Sequence, residues 1–147
     1  MAHKSKYRPI NESKYRGEGE IICRSSWERG LCKYFDKSSS IRYWSSEPFA
    51  IKYIKPTTGR THRYFPDFFI ETMDGKKILI EVKPKHETIR PVKKSRQHNK
   101  TFARQKITYA INDAKWKYAR EFCKKNGIQF QIWTQDTIKS LGVKVVG

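Results

Sequence analysis

Phe65-Pro66-Asp67-Phe68-Phe69-Ile70-Glu71-Thr72-Met73-Asp74-Gly75-Lys76-Lys77-Ile78-Leu79-Ile80-Glu81-Val82-Lys83-Pro84 reads as two strands joined by a turn. The first strand begins upstream, at Arg60, and runs to Glu71. Pro66 is its irregularity, because proline has no N–H to give a ladder. Lys77 to Lys83 carries apolar residues on both faces, the mark of a central strand. Two acids and a lysine punctuate this apolar hairpin: Asp67, Glu81 and Lys83. Which face each occupies depends on the turn. A two-residue turn at Asp74-Gly75 sets Asp67 opposite Val82, on the other sheet face from Glu81. A three-residue turn, Met73-Asp74-Gly75, sets Asp67 opposite Glu81 and gives Gly75 the left-handed position that glycine tolerates. The second register is the expected one. Glu81 and Lys83 share a face in either case, being two residues apart on a strand.

Working outward, a helix is expected from Ser25. Ser25-Ser26-Trp27-Glu28 fits a capping box, and Trp27, Leu31, Tyr34 and Phe35 keep helical spacing until Asp36 to Ser40. Glu28 lies about 100° round this helix from Trp27 and about 20° from Phe35. Two roles are open to it: the acid of the cap, or a third acid leaning over the sheet. Ile41 to Trp44 and Phe49 to Lys55 read as short strands, with Pro56-Thr57-Thr58-Gly59 as a turn. Residues 84–107 lack periodicity and form an expected basic loop. A second helix is expected from Thr108 to Lys125, with Ile111, Ala114, Tyr118, Ala119 and Phe122 as its apolar stripe and Asn126-Gly127 as its end. Ile128, Phe130 and Ile132 alternate as a last strand, and Thr134 to Leu141 makes a short helix. The order is a helix, a run of short strands, a second helix and a last strand. It implies a single α/β (α+β) domain with a mixed sheet of four or more strands flanked by helices. Residues 1–17 read as a separate basic arm, flexible alone, leaving 18–147 as the domain.

Lys and Arg number 32 against 14 Asp and Glu, a net charge of +18. Self-repulsion of that size makes sense when the partner is a polyanion. Nucleic acid is the expected partner, since nothing in the pattern argues for a membrane surface. Cys23, Cys32 and Cys123 are scattered, with no C-x-x-C pair, so reduced thiols are expected in place of a zinc site or disulfide framework. No signal peptide or long apolar run is present, so secretion and membrane spanning are not expected.

Acids held among apolar strand residues inside a strongly basic chain fit one chemistry well. Hydrolysing a phosphodiester requires screening phosphate charge, generating hydroxide and stabilising a leaving alkoxide. Divalent cations held by carboxylates serve all three needs, and a nearby lysine can orient or deprotonate the water. Asp67 and Glu81 are the first candidate ligands, Glu28 the third, and Lys83 the candidate lysine. Phe65, Phe68 and Phe69 around Asp67 point to its burial, and an unpaired buried carboxylate would be costly, which favours a metal or lysine partner.

These residues resemble the PD-(D/E)XK nuclease superfamily. Pro66-Asp67 matches the first element and Glu81-Val82-Lys83 the second, with 13 residues between the acids. Glu28, in Ser26-Trp27-Glu28-Arg29, resembles the acid many members carry on a preceding helix. The Trp-Glu pair, F-x-P-D-F, E-V-K and Gly127-Ile128-Gln129-Phe130-Gln131-Ile132-Trp133-Thr134 are similar to the endonuclease subunit of heteromeric transposases. Size, basic character and layout over residues 20–140 look closest to the head-completion nucleases of tailed phages. The resemblance implies a restriction-endonuclease-like fold. It also implies a Mg²⁺-dependent DNA endonuclease, with Mn²⁺ able to substitute, in which Asp67, Glu81 and Glu28 serve the metal and Lys83 is catalytic. The implied setting is the host cytoplasm or the virion, with phage head or portal proteins as further partners.

The loop cations Lys85, Arg90, Lys93, Lys94, Arg96, Lys100 and Arg104 are the expected grip on DNA backbone, with Lys106 extending it. The arm, Arg24, Arg29, Arg60 and Arg63 are further candidates. Phosphate contacts give affinity without sequence readout, and no helix-turn-helix or finger is evident, so non-specific or structure-selective cutting is expected. Two other readings compete. One is a non-catalytic virion component that keeps the fold while binding DNA ends or the portal. The other is an RNA-binding protein whose Tyr34, Tyr43, Trp44, Tyr53 and Tyr64 stack bases.

Overall fold

The computed structural model describes residues 4–145. Four strands form the central sheet in the order β3-β6-β7-β8: β3 Ile41–Ser46, β6 Phe68–Thr72, β7 Lys77–Val82 and β8 Gln129–Trp133. β3–β6 and β6–β7 are antiparallel and β7–β8 is parallel, so the sheet is mixed and β7 is central, as its all-apolar pattern requires. The helix α1, Ser26–Lys37, covers one face. Its Leu31 and Phe35 pack with Trp44, Phe68, Ile70 and Ile80. The long helix α2, Asn99–Lys125, covers the other face, where Trp116, Ala119 and Cys123 meet Leu79. A short helix α3, Gln135–Ser140, buries Ile138 beside the first cluster. This is the expected restriction-endonuclease-like arrangement.

The decisive hairpin closes with the longer turn. Thr72 N–H donates to Lys76 O at 2.9 Å, leaving Met73, Asp74 and Gly75 as the loop, and Gly75 has φ 88°. A side chain there would be strained. The pairing runs Glu71↔Lys77, Ile70↔Ile78, Phe69↔Leu79 and Phe68↔Ile80, and the same count brings Asp67, one residue before β6, level with Glu81.

Four expectations need correction. Arg60 to Glu71 is not one strand: β5, Thr61–Tyr64, pairs only with β4, Ile51–Ile54, and the chain re-enters the central sheet at Phe68. Pro66, which cannot donate, sits at that break. Phe65, expected to bury Asp67, is largely exposed. The basic loop ends at residue 98, because α2 begins at Asn99 and carries Lys100, Arg104 and Lys106 on its first turns. The most buried line of α2 is Asn112, Trp116, Ala119 and Cys123; of the expected stripe Ala119 lies on it, and Ile111, Ala114, Tyr118 and Phe122 flank it, partly buried against the same cluster.

The N-terminal segment is also not a free arm. Residues 1–3 lie outside the described residues, as do 146–147 of the expected domain. Beyond them, β1, Ser5–Tyr7, pairs antiparallel with β2, Ile21–Cys23. The carboxylate of Asp36, fully buried at the end of α1, accepts bonds from Tyr7 O–H at 2.6 Å, Ile10 N–H at 2.7 Å and Asn11 N–H at 3.0 Å. Those bonds hold its pKa below the usual carboxylate value despite burial. The three cysteines are free and buried, with Cys23 and Cys32 Sγ atoms 3.5 Å apart.

Candidate active site

Asp67 stands where the chain enters β6, and Glu81 stands opposite it near the end of β7. Each is fixed by the backbone and core around it. Asp67 Oδ2 accepts the Val82 N–H at 2.7 Å, which ties the carboxylate to the neighbouring strand. Glu81 is only 5% exposed, on the sheet face covered by α2, and its Oε2 accepts Trp116 Nε1–H at 3.3 Å. Lys83 follows on the same face, half-buried; its N–H donates to Trp133 O at 3.0 Å and extends the parallel pairing by one bond. Pro84 then stops the strand.

Glu28 reaches this group from α1. Its N–H donates to Ser25 Oγ at 3.2 Å, the first half of the expected capping box. The return bond goes one residue further back: Arg24 N–H donates to Glu28 Oε1 at 3.3 Å. Glu28 therefore caps the helix and also faces the acids. The link is Arg24. One guanidinium nitrogen lies 3.0 Å from Asp67 Oδ1 and 3.6 Å from Glu28 Oε1, and the other pairs with Glu47. Burial works against Arg24's charge, but Glu28, Glu47 and Asp67 outweigh it and keep its pKa high.

Arg24 counted only as a DNA contact in the sequence, and Glu47 was not a candidate. Nothing local marks either. Glu47 is recognisable only in three dimensions, by its left-handed φ of 45° and by an N–H that donates to Asp67 O at 2.9 Å. A non-glycine residue held there carries strain that its surroundings must support.

Asp67 opposes the ionisation of both Glu81 and Glu28. Burial, followed by the negative charge of Asp67, pushes Glu81 up to about 8, with Lys83 pulling the other way. Burial and then Asp67 also raise Glu28, against the pull of Arg24. Three further groups close the α2 side. Tyr64 is buried, and its hydroxyl has no hydrogen-bond partner among the described residues. Burial and then the neighbouring Glu81 raise its pKa. Lys115, half-buried, holds its ammonium 5.8 Å from the Tyr53 ring and 5.6 Å from that of Tyr64. Burial lowers its pKa, with Glu81 opposing. Trp116, one residue on, could have been found from the 112-116-119-123 spacing.

The donor chemistry suits a hard divalent cation. Among the described residues no three His, Cys, Asp or Glu side chains are grouped so that together they could hold a metal ion. Mg²⁺ does not ask for three, since it keeps several waters and is commonly held through one or two carboxylates. Asp67 and Glu81 could supply those, with Glu28 beside them. Burial first and Asp67 second disfavour the Glu81 carboxylate, and a cation beside it would favour that charged form.

The expected DNA grip is scattered over the loop and the start of α2. Arg90, Lys93, Lys94, Arg96, Lys100 and Arg104 are exposed, with no acid within ion-pair distance among the described residues. Lys85 pairs with Asp136 at 3.7 Å, and the Lys106 ammonium sits 4.7 Å from the Phe102 ring. Arg29 donates to Lys6 O, and Arg60 and Arg63 are exposed on the β4–β5 hairpin side. Trp44, Tyr53 and Tyr64 are buried, so three of the five aromatics of the RNA reading cannot stack on a ligand.

Residues 38–135 match the TnsA-like endonuclease N-terminal family, a span that includes Asp67, Glu81 and Lys83 and begins after Glu28. Over 148 aligned positions the chain is 38% identical to the head completion nuclease of Enterobacteria phage T4, covering 98% of this chain and 99% of that one. No helix among the described residues is long and apolar enough to cross a membrane. Register, acids, flanking helices and full-length similarity converge, and the chain belongs to the TnsA-like endonuclease N-terminal family, with the phage head completion nuclease among its relatives.

Proposed function

We propose that this protein is a Mg²⁺-dependent DNA endonuclease of little sequence specificity, acting in phage head completion on packaged DNA or its ends. The observation that carries the reading is the placing of Asp67 across from Glu81, with Lys83 two residues further on the same face, in a chain of net charge +18. The T4 relative's name supplies the nuclease activity and the assembly step. Asp67 and Glu81 would hold the metal, with Glu28 as the accessory acid. When bound, the metal screens the phosphate and lowers the pKa of water.

The chain's own groups then divide the remaining tasks. The backbone bond from Val82 and the indole of Trp116 keep the two carboxylates pointed at one spot, so little reorganisation is needed. Lys83 orients the attacking water or takes its proton. Arg24, held by three acids, is placed to meet the phosphate once Asp67 is otherwise occupied. The exposed cations Lys85, Arg90, Lys93, Lys94, Arg96, Lys100 and Arg104 hold the backbone on either side. The setting is the host cytoplasm or the assembling virion, with head or portal proteins as further partners.

A second reading, a non-catalytic DNA-end or portal-binding protein that keeps the fold, draws on Arg24, whose guanidinium already neutralises Asp67. Cleavage of linear, supercoiled and branched DNA separates the two. Mg²⁺-dependent nicking that EDTA and Glu81→Ala both abolish is the expected result. Tight binding without cutting, in Mg²⁺ and Mn²⁺ alike, establishes the second reading.

A further inference from the structure

A cavity of about 600 Å³ lies between the loop at 86–94 and the first half of α2. It falls within the ~300–1,000 Å³ that ligand pockets occupy. Its position is set by chain geometry. Lys83 leads directly into its wall through Pro84 and Lys85. Asn112, on its floor, is one helical turn before Trp116, about 6 Å along the axis. Trp116 bonds Glu81, so the Asn112 end of the cavity lies one helical turn from the contact that holds that acid.

Its lining is mixed in a particular way. Ile89 and Pro91 supply apolar wall, and Ile89 is 57% exposed with nothing packed over it. Tyr109 supplies an aromatic ring, half-buried. Arg90 and Arg104 stand at the sides without acid partners among the described residues. Asn112 is only 6% exposed, and it lines this cavity. A primary amide offers both donors and an acceptor to a ligand. Ring, flat apolar wall, two-way amide and flanking guanidiniums together match the chemistry of one nucleotide: a base to stack, an edge to bond, and phosphates on either side.

We propose that this cavity receives one unstacked nucleotide of the DNA strand, within roughly two steps of the scissile phosphate. The inference rests on the nuclease reading and adds a site to it. Tyr109 stacks on the base, Asn112 bonds its edge, and Arg90 and Arg104 hold the adjoining phosphates. Bases in a continuous stack cannot enter, so the strand must bend out or fray where it passes α2.

The test uses binding in EDTA, so that no cleavage is needed. The full-length protein is titrated with a short oligothymidylate and with an abasic deoxyribose-phosphate oligomer of the same length. Stacking and edge contacts predict that the intact oligomer binds roughly tenfold tighter. Tyr109→Ala, half-buried and safe for folding, and Asn112→Leu, which keeps the bulk of the amide, should each remove most of that difference. The slope of affinity against salt should stay the same. Equal affinity of wild type for the two oligomers overturns the inference. So does a tenfold preference that survives in both variants, since the bases are then held elsewhere. If neither oligomer binds, this inference falls, and a duplex titrated alongside shows whether the nucleic-acid reading falls with it.

Discussion

Arg24 meets three carboxylates, and its removal separates two explanations of why it is there. If it only braces the fold, losing it costs stability and nothing else. If it stands where positive charge is wanted, losing it leaves Asp67, Glu28 and Glu47 repelling one another and eager for a cation. The side chain is 38% exposed, so solvent screens it, and about 1 kcal/mol is a fair expectation for its net contribution. Arg24→Ala should therefore lower the melting temperature in EDTA by roughly 3 °C. Saturating Mg²⁺ should then raise the variant's melting temperature by more than it raises wild type's. Scanning calorimetry with and without Mg²⁺ reads both effects, and equal Mg²⁺ gains would leave Arg24 as a brace alone.

Among the elements, the hairpin was legible in the sequence because its determinants are local: alternation, a turn of known chemistry and a glycine where φ must be positive. The capping box at Ser25 was legible for the same reason. The segment around Pro66 was legible only as a fault, because which strand a segment pairs with is decided by distant partners. The start of α2 was missed since Lys100, Arg104 and Lys106 interrupt any apolar stripe there. Its phase was misread because Ile111, Ala114, Tyr118 and Phe122 are themselves partly buried and compete with the true line. The acids Asp67 and Glu81 could be paired from register, whereas Glu47 and Lys115 join them only through tertiary structure. The loop before α2 makes its own prediction. Each true phosphate contact adds roughly 0.9 to the slope of log affinity against log salt, so Lys93→Ala with Lys94→Ala should flatten it by about 1.8. An unchanged slope in filter binding would move the DNA path away from this loop.

At the scale of the whole molecule, +18 of charge is held together partly by one buried acid. Asp36 accepts three bonds from the N-terminal segment and so ties β1 to α1. Its folded pKa is lowered, so its contribution is present above the unfolded carboxylate range and is lost as pH falls through the folded value. Asp36→Asn keeps the size but cannot accept all three bonds. It should cost about 2–3 kcal/mol at pH 7, by urea denaturation. The gap from wild type should narrow steadily below about pH 4 as the native carboxylate is protonated. A gap that stays constant down to pH 2 would mean that shape, and not charge, holds the segment.

The three-residue turn at Met73-Asp74-Gly75 has a consequence for how this chain can change over generations. Point substitutions in the turn adjust stability by small steps, but the number of its residues behaves as a parity. Deleting Asp74 alone would leave a well-formed hairpin with every hydrophobic residue available, yet Asp67 and Glu81 would part to opposite sides. Restoring the match would take a second length change in the same few residues. Descendants should therefore drift freely in the identity of residues 73 and 74 while length at this corner stays fixed. A folded but inert deletion variant, seen by circular dichroism beside a cleavage assay, would show the lock directly.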